Sequence, residues 1–115
     1  MDDGSLKYAG YGAAVEFNAD SNFTNKMTKQ GIQMKMSEVY QAIYTKFSDV
    51  QWVSVAAYMD VTDQYGNTSS AMVYKTILKS GVASKINWGA DQSELELDIV
   101  PGLWTTTIIS PFLNQ

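Results

Sequence analysis

From Trp52 onward the chain alternates with a period of two. Val53, Val55, Ala57, Met59 and Val61 fall on one side, and Trp52, Ser54, Ala56, Tyr58 and Asp60 on the other. Such alternation over a β-rich stretch predicts a strand with one buried face. Asp63-Gln64-Tyr65-Gly66-Asn67 follows, and a second β-rich run extends from Thr68 to Lys79. An Asp opening the turn and Gly66 at its fourth position fit a type I turn closed by a left-handed residue, a common three-residue hairpin loop. If Asp63 and Asn67 flank that loop, odd positions pair with odd positions. One face of the hairpin then carries Val53, Val55, Ala57, Met59 and Val61 with Ala71, Val73 and Ile77. Lys75 is the discord on that core face, read as an edge lysine snorkelling to water. The other face carries Trp52, Ala56 and Tyr58 with Met72, Tyr74 and Leu78, too apolar for an idle surface.

Ahead of the hairpin the period changes. Ile32, Met36, Val39, Tyr40, Ile43 and Phe47 recur at three- and four-residue steps, one broad stripe on an α-helix. Asp20, Ser21, Asn22 and Thr24 are candidate caps for its start, and Ser48-Asp49 ends it. Gly31 inside the pattern costs on the order of 1 kcal/mol relative to Ala. Upstream, Tyr8 to Phe17 is Gly- and Tyr-rich, and Ala13, Val15 and Phe17 alternate, which predicts a short strand at the sheet edge. Downstream, Gly81 to Trp88 has room for one helical turn. Glu94-Leu95-Glu96-Leu97-Asp98-Ile99 then alternates strictly, acidic against aliphatic, and predicts a half-buried strand. Pro101-Gly102 breaks it, Leu103 to Ile109 reads as extended again, and Pro111 confines the end to an edge or a wrapped tail.

The order is β–α–β–β–turn–β–β, an α+β fold with one long helix packed on an antiparallel sheet of three to five strands. Residues 1–7 read as a flexible leader and residues 8–115 as a single domain. The layout from Ala13 to Ile109 resembles the cystatin-like helix-on-sheet architecture. The first hairpin loop of cystatin-type inhibitors carries a Gln-Val-Val-Ala-Gly-like motif. Here that loop is Asp63 to Asn67, so the resemblance implies layout and not inhibition.

Composition narrows the chemistry. The 115 residues contain no His and no Cys, and every basic residue is a lysine. There is thus no imidazole base, no thiolate and no zinc site of the usual kind, and no guanidinium fork for phosphate. A net charge of −4 argues against nucleic acid, which asks for a basic stripe. No apolar run approaches the roughly 20 residues that span a bilayer, so direct membrane insertion is not expected. Met1-Asp2-Asp3-Gly4-Ser5 opens acidic and polar, unlike a signal peptide. It fits either a cytoplasmic protein or an extracytoplasmic bacterial one whose export signal has been removed.

Each candidate site has a plainer reading beside it. Glu94, Glu96 and Asp98 would stand about 7 Å apart on one strand face, a spacing paired carboxylates use, but the interleaved aliphatics explain them as a solvated row. Asp60, Asp63 and Asn67 gather oxygens around one loop, yet turns favour the same residues, so no metal is expected. Met27, Met34 and Met36 suggest a thioether cluster, but Met36 and Met59 already fill core positions, and only Met34 lies off the helix stripe without explanation. Lys75 would be a nucleophile candidate only if buried. No Gly-x-Ser-x-Gly elbow is present, and Gly10-Tyr11-Gly12 lacks the lysine and helix start of a phosphate loop. No catalytic residue and no cofactor are expected.

The aromatic face remains. Trp52, Tyr58, Tyr74 and Met72 form the candidate binding site, because Trp and Tyr bury large area with little loss of entropy; the plainer reading is that the C-terminal segment, with Leu103, Trp104 and Phe112, folds over this face as a second layer. The expectation is a non-catalytic module contacting a protein partner or another copy of itself through a sheet face or edge, with a bacterial surface protein or lipoprotein as a setting. A small acidic inhibitor or immunity-type protein using Glu94, Glu96 and Asp98 is the second reading. A small enzyme run by carboxylates and Lys is the third.

Overall fold

The computed structural model describes residues 6–7, 12–19, 25–47, 49–62 and 64–110. Leu6–Lys7 (β1), Gly12–Asn18 (β2), Asn25–Lys46 (α1), Trp52–Thr62 (β3) and Thr68–Lys79 (β4) are followed by a one-turn helix, Ser80–Ala83 (α2). Next comes Gln92–Glu94 (α3), which runs straight into a π-helical stretch, Leu95–Ile99, and Thr105–Ile109 (β5) closes the sheet. The described strands form one mixed sheet in the order β1-β2-β3-β4-β5. The sheet is mostly antiparallel. Its one parallel pair is β2 with β3, aligned from Gly12↔Trp52 to Asn18↔Tyr58. A long helix between two strands permits this, because a parallel neighbour needs a crossover too long for a hairpin. β2 is therefore interior rather than at the edge, with Leu6 and Lys7 of the expected leader paired to Ala13 and Gly12. The residues expected to cap α1 (Asp20, Ser21, Asn22 and Thr24), together with Tyr8, Gly10, Tyr11, Ser48, Asp63, Pro111 and Phe112, lie outside the described residues.

The helix stripe packs as its spacing dictates. Ile32, Met36 and Tyr40 are buried, and Val39 and Ile43 pack beside them. Phe47 falls one residue past the helix and is exposed instead. Met34, off the stripe, is also exposed. Beneath α1 lie Ala13, Val53, Val55, Ala57 and Met59 from the sheet.

The hairpin begins as expected. Gly66 sits at φ 86°, and Thr62↔Thr68 through Tyr58↔Met72 pair in the expected register. Then the ladder slips: the next pair is Ala57↔Tyr74, so Val73 is an extra residue on β4. A bulge of this kind puts two residues opposite one and reverses which parity faces inward beyond it. Val73 and Tyr74 are both buried, and Thr76 and Leu78 follow them into the core. This corrects the expected faces. Tyr74 and Leu78 belong under α1, while Lys75 and Ile77 belong to the opposite face.

The second correction is at Glu94 to Ile99, which is helical, not a strand. Asp91 caps it, its carboxylate accepting from the Glu94 amide at 3.2 Å and the Ser93 hydroxyl at 2.7 Å. Those donors hold the Asp91 carboxyl below its usual range. The Val100 amide reaches back five residues to the Leu95 carbonyl, which brings Leu95 and Val100 onto one buried face. Leu97 is left exposed. Ser37 of α1, itself buried, donates to the Glu96 carbonyl at 3.2 Å and docks this segment to the helix. Trp104, just after it, closes the core against Tyr40 and Tyr74, with ring centroids 5.8 and 6.3 Å away.

Candidate functional site

Helix α1 covers one face of the sheet. On the other face, strand alternation and the β4 bulge set out four rows running across the strands. Gly12, Trp52 and Lys79 form the first, and Ala14, Ser54 and Ile77 the second. Glu16, Ala56 and Lys75 form the third, and Asn18, Tyr58 and Met72 the fourth. No helix or strand among the described residues packs over this outer face, and the shortest dimension of the molecule, 18 Å, is the thickness of one sheet and one helix layer.

Trp52 dominates the first row. A Cβ added to Gly12 would fall 1.8 Å from indole Cε2 of Trp52, so the ring lies directly against the β2 backbone. Only a residue without a side chain permits that approach. Beside the ring is an open groove of about 630 Å³, lined by Ala14, Trp52, Ser54, Lys75, Ile77 and Lys79 with Gln51 at its end. Its lining includes the small residues Ala14 and Ser54, the latter 8% exposed, and Ala56 in the next row is 4% exposed. At the far end the Tyr58 hydroxyl donates to Glu16 Oε2 at 3.3 Å. Loss of solvent, the Glu16 charge and that hydrogen bond all raise the Tyr58 pKa. The two flanks differ in sign, with Glu16 on β2 and Lys75 and Lys79 on β4.

Of the four expected site residues, three share this face: Trp52, Tyr58 and Met72. Tyr74 does not join them. It is 3% exposed within the core, stands edge-on to Trp104, and accepts a hydrogen bond from Gln33 Nε2 at 3.1 Å. Sequence reasoning missed Gly12, Glu16, Ile77, Lys75 and Lys79 as parts of the face. The alternation of Ala14, Glu16 and Asn18 against Ala13, Val15 and Phe17 was a usable signal for β2, whereas its alignment beside β3 was not readable locally.

The other candidates disperse. Glu94 and Asp98 are exposed but Glu96 is 6% exposed, so the three carboxylates share no face. Glu96 Oε2 accepts from Gln92 Nε2 at 2.8 Å, Gln92 also donates to Gln41, and Gln41 donates to the Trp88 carbonyl. Burial, the Glu96 charge and a hydrogen bond to it push the Glu38 carboxyl above its usual range, with Lys35 pulling the other way. These bonds tie the π-helical segment to α1 and serve docking. Met36 accepts a hydrogen bond from Thr76, Met59 is in the core, and Met27 and Met34 are exposed. No group of three or more His, Cys, Asp or Glu converges among the described residues, and no helix among them is long and apolar enough to cross a membrane. The chain matches no family model, and no curated protein or solved structure is significantly similar to it.

Proposed function

We propose that this protein is a non-catalytic interaction module whose working surface is the outer face of the sheet. The observation that supports the reading is the contrast between the two faces of one sheet. One is sealed by α1. The other holds an indole and aliphatic side chains around an open groove edged by Lys75 and Lys79, with the Tyr58 phenol bonded to Glu16 further along the face. Aromatic anchors within a polar rim are the arrangement through which proteins hold one another. Apolar area of this kind on a folded chain marks a contact surface. The acidic-inhibitor reading has no comparable support, because Glu94, Glu96 and Asp98 do not form one surface.

The test is photo-crosslinking in the cells that make the protein. A photo-crosslinking amino acid replaces Ser54 or Ile77 on the outer face, or Lys35 on the exposed side of α1 as control. Protein adducts at Ser54 and Ile77 above the Lys35 background support the reading. Adducts no stronger than that background refute it.

A further inference from the structure

Building on the interaction reading above, we infer that the occupant of the outer face is a second copy of this chain, related by a two-fold axis running along β3. One row carries an acid and a base on opposite flanks. Glu16 pairs with Ala56 in the parallel ladder, and Ala56 pairs with Lys75 in the antiparallel one. An acid and a base thus stand at the same height on either side of β3. Two strand spacings, about 10 Å, separate their backbones, and Glu16 is bonded instead to the Tyr58 hydroxyl of the next row.

A two-fold axis along β3 keeps each row at its height and exchanges the flanks. Glu16 of each copy then faces Lys75 of the other, and two ion pairs form across the interface. The rows on one side follow the same logic. Ala14 of one copy comes opposite Ile77 of the other, small against large. Lys79 comes opposite the Trp52 ring that lies over Gly12, a geometry suited to a cation–π contact. An axis across the strands through the Ala56 row would instead put Glu16 on Glu16 and Lys75 on Lys75. The charges therefore select both the partner and the axis.

The area suffices for a reversible dimer. Three strands, β2 to β4, at about 4.8 Å spacing, over a length of roughly eight residues at about 3.3 Å each, give on the order of 450 Å² per copy once relief is included. The total of roughly 900 Å² is that of a weak, reversible association. Asp60, exposed on β3 near the axis, lies beyond the last β2 pairing, where twisted sheets packed face to face diverge.

Sedimentation velocity across the micromolar range tests this, with circular dichroism to establish that each variant is folded. Wild type should show a concentration-dependent monomer–dimer equilibrium. Glu16→Lys and Lys75→Glu should each weaken it roughly tenfold or more, because each reversal creates two like-charge contacts. The double variant E16K/K75E, and an equimolar mixture of the two single variants, should both regain dimer. A monomeric wild type, single variants that associate like wild type, or failure of both rescues overturns the inference. If wild type is monomeric while crosslinks at Ser54 and Ile77 join another protein, the interaction reading stands with a different occupant. If no adduct forms either, both readings fall.

Discussion

Tyr40 and Thr76 join α1 to the middle of the sheet through a hydroxyl pair 2.6 Å apart, with both residues 0% exposed. Tyr40→Phe removes one partner and leaves the ring, with its packing on Trp104, in place. Thr76 is not wholly orphaned, because its hydroxyl still donates to Met36 Sδ at 3.5 Å. The expected cost is the net worth of one buried hydrogen bond, about 1 kcal/mol. Thr76→Val is the harsher change, since it takes the side-chain partner from the Tyr40 hydroxyl and leaves that group buried with only the Val55 backbone beside it. Its expected cost is about 2 kcal/mol, partly offset by burying a methyl group. The double variant lacks both hydroxyls, so nothing is left stranded, and its cost should fall short of the sum by about 1 kcal/mol or more. Equilibrium urea unfolding of the four proteins, with unchanged m-values as the check that one transition is being compared, reads the coupling directly. Costs that add to within about 0.5 kcal/mol would refute the claim that this pair carries the contact between helix and sheet.

Two further outcomes follow from groups near the face and the core. Burial raises the Tyr44 hydroxyl from 10.0 to about 12, and its bond to the Leu78 carbonyl holds the protonated form. The folded pKa lies above the unfolded one, so stability is intact below pH 10 and declines as pH rises towards 12. Tyr44→Phe should make urea midpoints fall less steeply over that window, and an unchanged slope would assign the alkaline loss elsewhere. Gly12→Ala should displace the Trp52 indole without unfolding the chain, because the clash is with a side chain facing open space. In NMR spectra the Trp52 indole N–H should move while that of buried Trp104 stays, and movement of Trp104 would mean that β2 itself had shifted.

How far the sequence speaks for itself differs by element. The α1 stripe and the Gly66 turn were legible because each is encoded locally, by spacing in one case and by a left-handed backbone in the other. The segment Glu94 to Ile99 misled because six alternating residues suit either a strand or a helix end. The deciding signal lay upstream, where Asp91 precedes Glu94 by three residues in the manner of a helix cap. The parallel pairing of β2 had no local signature at all, since a crossover helix leaves the direction and position of its strands to tertiary packing. The outer face was accordingly half legible. Trp52 and Tyr58 followed from the β3 period, whereas the flank on β2 and most of the flank on β4 did not.

The discordant lysine decides the register of the hairpin. Across Ala71 to Leu78 the apolar residues occupy both parities, so a one-residue insertion there leaves no mark in the hydrophobic pattern. Lys75 alone objected to the regular register, which would have laid an ammonium beneath α1. Burying that charge without a partner costs several kcal/mol, whereas a bulge costs one unpaired residue in the ladder. The bulge at Val73 removes the conflict by turning Tyr74 inward and Lys75 outward together. The same step that completes the core against Trp104 also sets a cation in line with Ala56 and Glu16. A regular hairpin would leave the outer face without its basic flank, and with it would go the charge pattern on which the proposed self-association rests.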